Sequence, residues 1–190
     1  MKSILLHTCC APCSSAVIEW LMTNDVRPTL FFYNPNIFPP EEYKIRKKEI
    51  FSYAQSLDLE IIDADYNHEQ WLADIRGLEN EPERGARCLQ CFKLRMQTTA
   101  QYAHENGFQQ FATTLASSRW KDLAQIAEAG NESASKYPNL YFFEKNWRKD
   151  GLSQRRNALL AENGFYNQRY CGCEFSVRIK SQEPYFDYAQ

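Results

Sequence analysis

The chain has 190 residues, of which 44% are hydrophobic and 24% are charged. This balance is typical of globular proteins and excludes collagen-like, low-complexity and disordered chains. The formal net charge of −2 excludes a uniformly basic nucleic-acid coat, although not a local basic patch. No apolar run approaches the roughly 18 residues that a membrane span requires, and the early apolar run Ile4–Leu6 is too short for a secretory signal. We therefore expect a cytoplasmic protein that contacts no membrane.

Apolar segments alternate with amphipathic segments along the chain. The pattern predicts strands at 3–7, 27–33, 59–64, 108–113 and 140–143, and helices at 14–23, 40–57, 68–75, 89–106, 121–136 and 153–163. Such alternation indicates an α/β fold of the Rossmann-like kind, with one mainly parallel sheet of about five strands and helices on both faces. Because no repeat and no Gly/Ser linker occurs, we expect 1–190 to form a single domain with a loosely packed tail at 181–190.

The cysteines are the strongest chemical signal in the sequence. Seven cysteines fall into three tight clusters, which are Cys9, Cys10 and Cys13, then Cys88 and Cys91, and finally Cys171 and Cys173. In a cytoplasmic protein such clusters are typical of metal or redox sites. The first cluster follows the first predicted strand, at the sheet edge where open α/β sheets bind ligands. The second lies at the start of a predicted helix, where the helix dipole favours thiolates.

The spacing of the cysteines leaves several chemistries open. Cys9, Cys10, Cys88 and Cys91 supply four soft thiolates, which suit an iron–sulfur cluster or tetrahedral zinc. An adjacent Cys-Cys pair is unusual in a zinc knuckle, so the spacing favours iron–sulfur. Cys10-Ala11-Pro12-Cys13 also fits a thiol–disulfide oxidoreductase, although that interpretation leaves five cysteines unused.

The last pair of cysteines has a different spacing. Cys171 and Cys173 would close a small strained ring if they paired, with Gly172 supplying the backbone freedom. Strained disulfides are easily reduced, and they are typical of catalytic or regulatory pairs. Two further metal ligands, or two free thiols, are the alternatives.

Basic residues gather near the cysteines. They are Arg84, Arg87, Lys93, Arg95, Arg148, Lys149, Arg155, Arg156 and Arg169. With the aromatic residues between them, they predict a patch that holds RNA phosphates and stacks bases, the alternative being an ordinary solvated helix face. No glycine-rich phosphate motif and no G-x-S-x-G occurs, which removes the main support for a nucleotide-binding enzyme or a serine hydrolase.

Five motifs occur in one order along the chain. They are HTCCAPC at 7–13, NPNI at 34–37, ERGARCLQCF at 83–92, TTL at 113–115 with Ser118, Lys121 and Asp122, and YCGC at 170–173. Through these motifs the chain, over roughly residues 3–180, closely resembles the cobalamin-independent epoxyqueuosine reductase family. The resemblance implies a two-electron deoxygenation, in which the epoxide of epoxyqueuosine at the tRNA wobble position becomes the alkene of queuosine.

The resemblance also implies roles for individual cysteines. By the family pattern Cys9, Cys10, Cys88 and Cys91 would ligate a 4Fe–4S cluster, and Cys171 and Cys173 would form a redox-active pair. Cys13 falls where a second metal, an iron adjacent to the cluster, can be held. The implied partners are tRNA carrying epoxyqueuosine and an electron donor that the sequence does not identify.

Epoxide reduction also requires an acid for the departing oxygen. Asp122 follows the fourth predicted strand and is our candidate catalytic acid, the alternative being a carboxylate at a helix N-terminus. Asn146 stands where many relatives of the family carry an acidic residue, and His7 is expected to be a structural hydrogen-bonding residue. A zinc-stapled tRNA-binding module without catalysis is the non-enzymatic alternative.

Overall fold

The strands and helices of the chain follow the predicted order. A computed structural model describes residues 2–176, which contain all five predicted strands and all six predicted helices. The strands are Lys2–Thr8 (β1), Val26–Phe32 (β2), Ile61–Asp63 (β3), Gln110–Thr113 (β4) and Tyr141–Phe142 (β5). The helices are Ala11–Thr23 (α1), Pro40–Ser56 (α2), His68–Asp74 (α3), Ala86–Glu105 (α4), Leu123–Ala134 (α5) and Leu152–Asn163 (α6). The predicted loose tail at 181–190 lies outside the described residues.

The strands form one parallel sheet in the order β3-β2-β1-β4-β5. The central strand is β1, in which Leu6 pairs with Leu30 on one side and with Ala112 on the other. Ile4, Leu5 and Leu6 are all buried, as a strand covered on both faces requires. Strand order reverses between β1 and β4, and the carboxyl edge at such a reversal is where this kind of sheet binds ligands. The predicted fold class is confirmed.

Helices cover both faces of the sheet. The helices α1 and α2 contact each other on one face and α4 and α5 contact each other on the other face, as right-handed crossovers would place them. The helix α6 packs against α1. The helix α4 ends just before Gly107, whose φ of +76° suits the turn that closes a helix. None of the helices found in residues 2–176 has the length and apolar character of a membrane-spanning helix.

Two helices begin three residues earlier than the sequence pattern predicts, and both differences involve cysteines. Helix α1 begins at Ala11 with Pro12 in its first turn, because proline is well tolerated there, and Cys10 becomes its N-cap residue. Helix α4 begins at Ala86 with Gly85 as its N-cap residue. Cys13, Cys88 and Cys91 therefore lie within helices, whereas Cys9 and Cys10 lie in the short junction between β1 and α1.

Candidate metal and redox site

Three cysteines meet at the junction of β1 and α1, at the carboxyl edge of the sheet. The sulfur atoms of Cys9, Cys10 and Cys13 all lie within 4.8 Å of one another, and the Cys9 and Cys10 sulfurs are 3.7 Å apart. All three residues are at most 4% exposed. We call them the inner thiol group. Three converging sulfurs in a buried position form a group that could hold a metal ion.

The inner thiol group has an uneven charge distribution. Hydrogen bonds from the Cys10 and Cys13 thiols, together with the nearby positive charges of Lys121 and Arg95, hold the pKa of Cys9 well below its usual value. Burial raises the pKa of Cys10 well above its usual value. One thiolate thus shares the site with protonated neighbours. A bound metal would displace those protons, because thiolates and not thiols are metal ligands.

A glutamine completes the inner thiol group from a distant part of the chain. The side-chain nitrogen Nε2 of Gln168 donates to the sulfurs of Cys10 and Cys13, at 3.0 and 3.4 Å. Gln168 is 5% exposed, and its Oε1 has no hydrogen-bond partner among the described residues. Sequence reasoning missed this residue, because no spacing rule connects it with cysteines more than 150 positions away. Its nearness to the YCGC motif is the sole available signal.

The other four cysteines form a second set, which we call the outer thiol group. Cys88 and Cys91 lie in the first turns of α4, whereas Cys171 and Cys173 come from the segment after α6. Cys88, Cys171 and Cys173 line one pocket, and Cys91 packs with Cys173 in a small apolar cluster. Cys88 and Cys171 are half-buried, while Cys91 and Cys173 are buried.

The structure brings Cys9 and Cys10 of the predicted ligand set together, as expected. Cys88 and Cys91 lie close to Cys171 and Cys173, and Cys88 also packs against the core cluster that contains the inner thiol group. Within residues 2–176, the inner thiol group is the one set of three or more Cys, His, Asp or Glu ligand atoms that converges within 4.8 Å. The two groups are neighbours, because Lys121 interacts electrostatically with cysteines of both.

Burial raises the pKa of three cysteines in the outer thiol group. It acts on Cys88 and Cys91, and it raises the pKa of Cys173 to about 11. At Cys88 and Cys91 this desolvation opposes the helix-dipole effect that favours thiolates at the N-terminus of α4. A bound metal would reverse the effect, because it displaces the protons of its thiol ligands.

One buried lysine acts on both groups. Lys121 is 4% exposed and lines the pocket that contains Cys171. Burial alone would lower the pKa of Lys121, but negative charge on Cys171, Cys9 and Cys13 raises it above its usual value. Lys121 therefore stays protonated, and it offsets negative charge that develops in either group.

A buried ion pair positions the segment that carries Cys171. Arg46 from α2 pairs with Glu42 at 2.7 Å, and both side chains are at most 3% exposed. The same guanidinium donates to the carbonyl oxygens of Cys171 and Tyr170, at 3.3 and 3.5 Å. Removing one member would leave a buried charge without its partner, which is strongly destabilising. Arg46 thus has a structural role beside the outer thiol group.

His7 and Asp122 both make structural contacts. The His7 ring nitrogens lie 2.8 Å from Thr113 Oγ1 and 3.0 Å from the Tyr33 carbonyl oxygen, and burial lowers its pKa to about 3. The prediction of a structural histidine is confirmed. Asp122 is the N-cap residue of α5, where its carboxylate accepts from the Gln125 backbone N–H at 3.0 Å. This contact gives a sufficient structural reason for Asp122, and its role as an acid stays a hypothesis.

Most of the predicted basic patch is occupied by internal contacts. Arg87 and Arg95 are each 2% exposed, so their interpretation as phosphate ligands is wrong. Arg87 binds the Glu79 carbonyl oxygen at 2.8 Å, and Arg95 binds Asn34 Oδ1 at 2.5 Å. Lys93 pairs with Glu128 and Glu132, and Arg155 pairs with Glu19. The cations of this set that remain well exposed are Arg84, Lys149 and Arg169.

Comparison with solved structures supports the fold. A crystal structure described as a predicted subunit of tRNA methyltransferase from Methanocaldococcus jannaschii matches with a TM-score of 0.51, at 14% identity. The match covers 87% of this chain and 91% of that chain. At this level of identity the likeness shows a shared α/β architecture alone, and it carries no information about activity.

Comparison with known sequences identifies the family. The chain is 47% identical over 177 residues to a protein of Histophilus somni named epoxyqueuosine reductase QueH, covering 93% of this chain and 73% of that protein. Proteins with the same name from Acinetobacter baylyi and Thermotoga maritima are 45% and 35% identical, covering 80% and 91% of their own lengths. The family model described as epoxyqueuosine reductase QueH matches residues 4–179. The chain therefore belongs to the epoxyqueuosine reductase QueH family.

Proposed function

We propose that this chain reduces epoxyqueuosine at the wobble position of tRNA to queuosine, as an oxidoreductase that uses an iron–sulfur cluster. The observation that carries the proposal is the inner thiol group, a buried convergence of three sulfurs beside a pocket lined by Cys171 and Cys173. Family membership supplies the substrate class. The thiols require a reducing compartment, so we place the activity in the cytoplasm.

The donor set fits a thiolate-bound metal centre. The sulfurs are buried, Gln168 donates N–H···S hydrogen bonds, and Lys121 and Arg95 supply positive charge against the thiolates. We assign the 4Fe–4S ligands as Cys9, Cys10, Cys88 and Cys91, and Cys13 as a ligand of an adjacent iron. When bound, such a cluster supplies electrons at low potential.

The reaction must balance two electrons and two protons. Both carbon–oxygen bonds of the epoxide break, the alkene forms, and the oxygen leaves as water. Cys171 and Cys173 could deliver both electrons and both protons by closing to a disulfide, and a one-electron or dithiol reductant must then restore the pair. This reductant is the second partner besides tRNA.

A protonated group must face the departing oxygen. The buried ammonium of Lys121 lines the pocket and stabilises negative charge there. Asp122 follows Lys121 in the chain, and we retain it as the hypothetical proton donor. Glu83 is the carboxyl-bearing residue that lines the pocket itself. If Asp122→Asn keeps full turnover with an intact metal centre, the acid is another group.

The first experiment is anaerobic purification followed by counts of iron, sulfide and zinc. About four iron and four sulfide per chain would support the cluster. The protein is then given epoxyqueuosine-containing tRNA and dithionite, and the nucleosides are separated by liquid chromatography with mass detection. We expect queuosine to appear.

Two other results would replace the proposal. Stoichiometric zinc that persists after cluster reconstitution, without turnover, would support a zinc-stapled tRNA-binding module. A metal-free protein that exchanges disulfides through Cys10 and Cys13 would support a thiol oxidoreductase. The burial of both cysteines disfavours this second result, because exchange requires an accessible sulfur.

A further inference from the structure

One large aromatic ring beside the outer thiol group remains exposed to solvent. Phe38 leaves 36% of its surface exposed, whereas Phe31 and Phe32 are almost completely buried. The Phe38 backbone nitrogen donates to the Gly172 carbonyl oxygen at 2.9 Å, and the Tyr170 hydroxyl donates to the Phe38 carbonyl oxygen. The exposed ring is therefore attached to the segment that carries Cys171 and Cys173.

The ring of Phe38 rests on a stack of further aromatic rings. Its centroid lies 5.2 Å from that of His68 at an interplanar angle of 23°, and His68 lies 5.4 Å from the buried Trp71 at 20°. His68 is itself fixed, with Nδ1 2.7 Å from the Pro35 carbonyl oxygen and Nε2 3.1 Å from Glu174 Oε1. The exposed surface of Phe38 thus has a fixed position, and it belongs to part of a single ring.

We propose that Phe38 stacks on the nucleobase next to the modified nucleotide in the anticodon loop. The inference rests on the proposed function, which makes tRNA the substrate. Unpaired loop bases stack on aromatic side chains, and this contact tolerates any base because every base has a flat face. In the proposed reaction the modified base must itself reach the pocket that contains Cys171. The base that stacks on Phe38 is therefore the one next to the modified base in the RNA.

The surroundings of Phe38 fit RNA better than a protein partner. A stable protein interface buries roughly 800 Å² on each side, far more than one aromatic ring offers. Beyond Phe38 the exposed ring of Pro40 adds some apolar surface, but the exposed and charged Glu41 follows directly and limits its extent. On the other side Arg169, next to Tyr170, is exposed and enters no ion pair within residues 2–176, which suits an RNA phosphate.

The test measures binding of a fluorescein-labelled anticodon stem–loop RNA by fluorescence anisotropy. Phe38→Leu keeps an apolar side chain against His68 but removes the flat face, so we expect Kd to rise about tenfold. Phe38→Trp restores an aromatic face and should stay within about twofold of the wild type. Tyr141→Leu is the matched control, because Tyr141 is a 67% exposed aromatic residue on the edge strand β5.

Abasic nucleotides identify the base that Phe38 contacts. An abasic nucleotide on one side of the wobble position should abolish the difference in Kd between the wild type and Phe38→Leu. Equal Kd values for these two proteins with the intact RNA would overturn the proposal. A difference that persists with abasic nucleotides on both sides would also overturn it, and so would the absence of any RNA binding by the wild type.

Turnover separates this inference from the proposed function. If the wild type binds the stem–loop in the expected way but leaves epoxyqueuosine-containing tRNA unreduced, the proposed reaction is wrong and the stacking contact stands. If the wild type reduces it and Phe38→Leu has the same KM, the stacking contact is wrong and the reaction stands. Circular dichroism and the thermal midpoint of each variant confirm that it is folded.

Discussion

The two thiol groups differ in how the chain assembles them. The inner thiol group comes from five consecutive positions, 9–13, at a strand–helix junction, and its three cysteines are at most 4% exposed. The outer thiol group joins two segments about 80 positions apart, and Cys88 and Cys171 in it remain half-buried. Metal binding benefits from rigid, dry and preorganised ligands, whereas a group that meets substrate must be reachable. The contrast favours the inner thiol group as part of the proposed metal centre, and the half-buried Cys171 as the proposed group that meets substrate.

The largest expected effect is the loss of metal from the inner thiol group. Cys10→Ser should abolish turnover and reduce bound iron at least about a hundredfold. Substitution of a residue that merely hydrogen-bonds to a metal ligand already lowers metal affinity about 10- to 100-fold, and loss of a ligand should cost more. Iron and sulfide counts after anaerobic purification measure this effect. Cys88→Ser is the matched variant for the outer group. Iron retained in Cys88→Ser but lost in Cys10→Ser would remove Cys88 from the ligand set and confine the metal to the inner group.

A change at Cys171 should separate electron delivery from metal binding. We expect Cys171→Ser to lower turnover about a hundredfold or more while iron and sulfide stay at wild-type levels, because a redox pair fails when one thiol is lost. The measurement is the queuosine yield with excess dithionite beside a metal count. Loss of iron in Cys171→Ser would instead show that this residue is a ligand and that the two groups share one function.

A smaller effect is expected at Gln168. Its N–H···S bonds stabilise negative charge on the sulfurs, so Gln168→Leu should lower the reduction potential of the bound centre on the order of 50 mV. Potentiometric titration followed by electron paramagnetic resonance measures the shift. Gln101→Leu is the control, because Gln101 is an exposed residue of α4 that binds Glu105. An unchanged potential in Gln168→Leu would mean that these hydrogen bonds do not reach the metal.

The smallest expected effect lies away from both groups. Arg155 binds the two carboxylate oxygens of Glu19 at 2.7 Å each, which lowers the pKa of Glu19 below its ordinary value of 4.5. Because both side chains are about 40% exposed, Glu19→Gln should cost only about 0.5 kcal/mol of unfolding free energy at pH 7. A carboxyl group whose pKa is lowered by folding stabilises the folded state at pH values above its pKa in the unfolded chain. This contribution decreases as the pH falls below about 4.5.

Urea unfolding at pH 7 and pH 4 measures the Glu19 contribution, and Arg155→Met with the double variant isolates the pair. Thiol and iron counts should match the wild type in every case. A change in either count would show that the packing of α6 on α1 affects the inner thiol group. The geometry of that group would then depend on contacts outside positions 9–13.

The sequence was a good guide where contacts are local. Periodicity located β1 and α1, and the strand–helix order placed Cys9, Cys10 and Cys13 at the correct edge of the sheet. It was a poor guide where long-range packing decides. Nothing in the spacing shows that Gln168 reaches Cys10. The sequence also does not distinguish an exposed arginine from a buried one, and Arg87 and Arg95 are buried. Burial of a cation depends on partners that only the folded chain brings together.

The contact between Gln168 and Cys10 also sets an order of events during synthesis. The glutamine that donates to the inner cysteines leaves the ribosome more than 150 residues after Cys10 and Cys13. At about 5–20 residues per second, that interval lasts several seconds to half a minute. Throughout it, the three inner cysteines lack the amide that donates to them in the folded protein. If the proposed metal centre needs this contact, it is completed only after residue 168 has been synthesised.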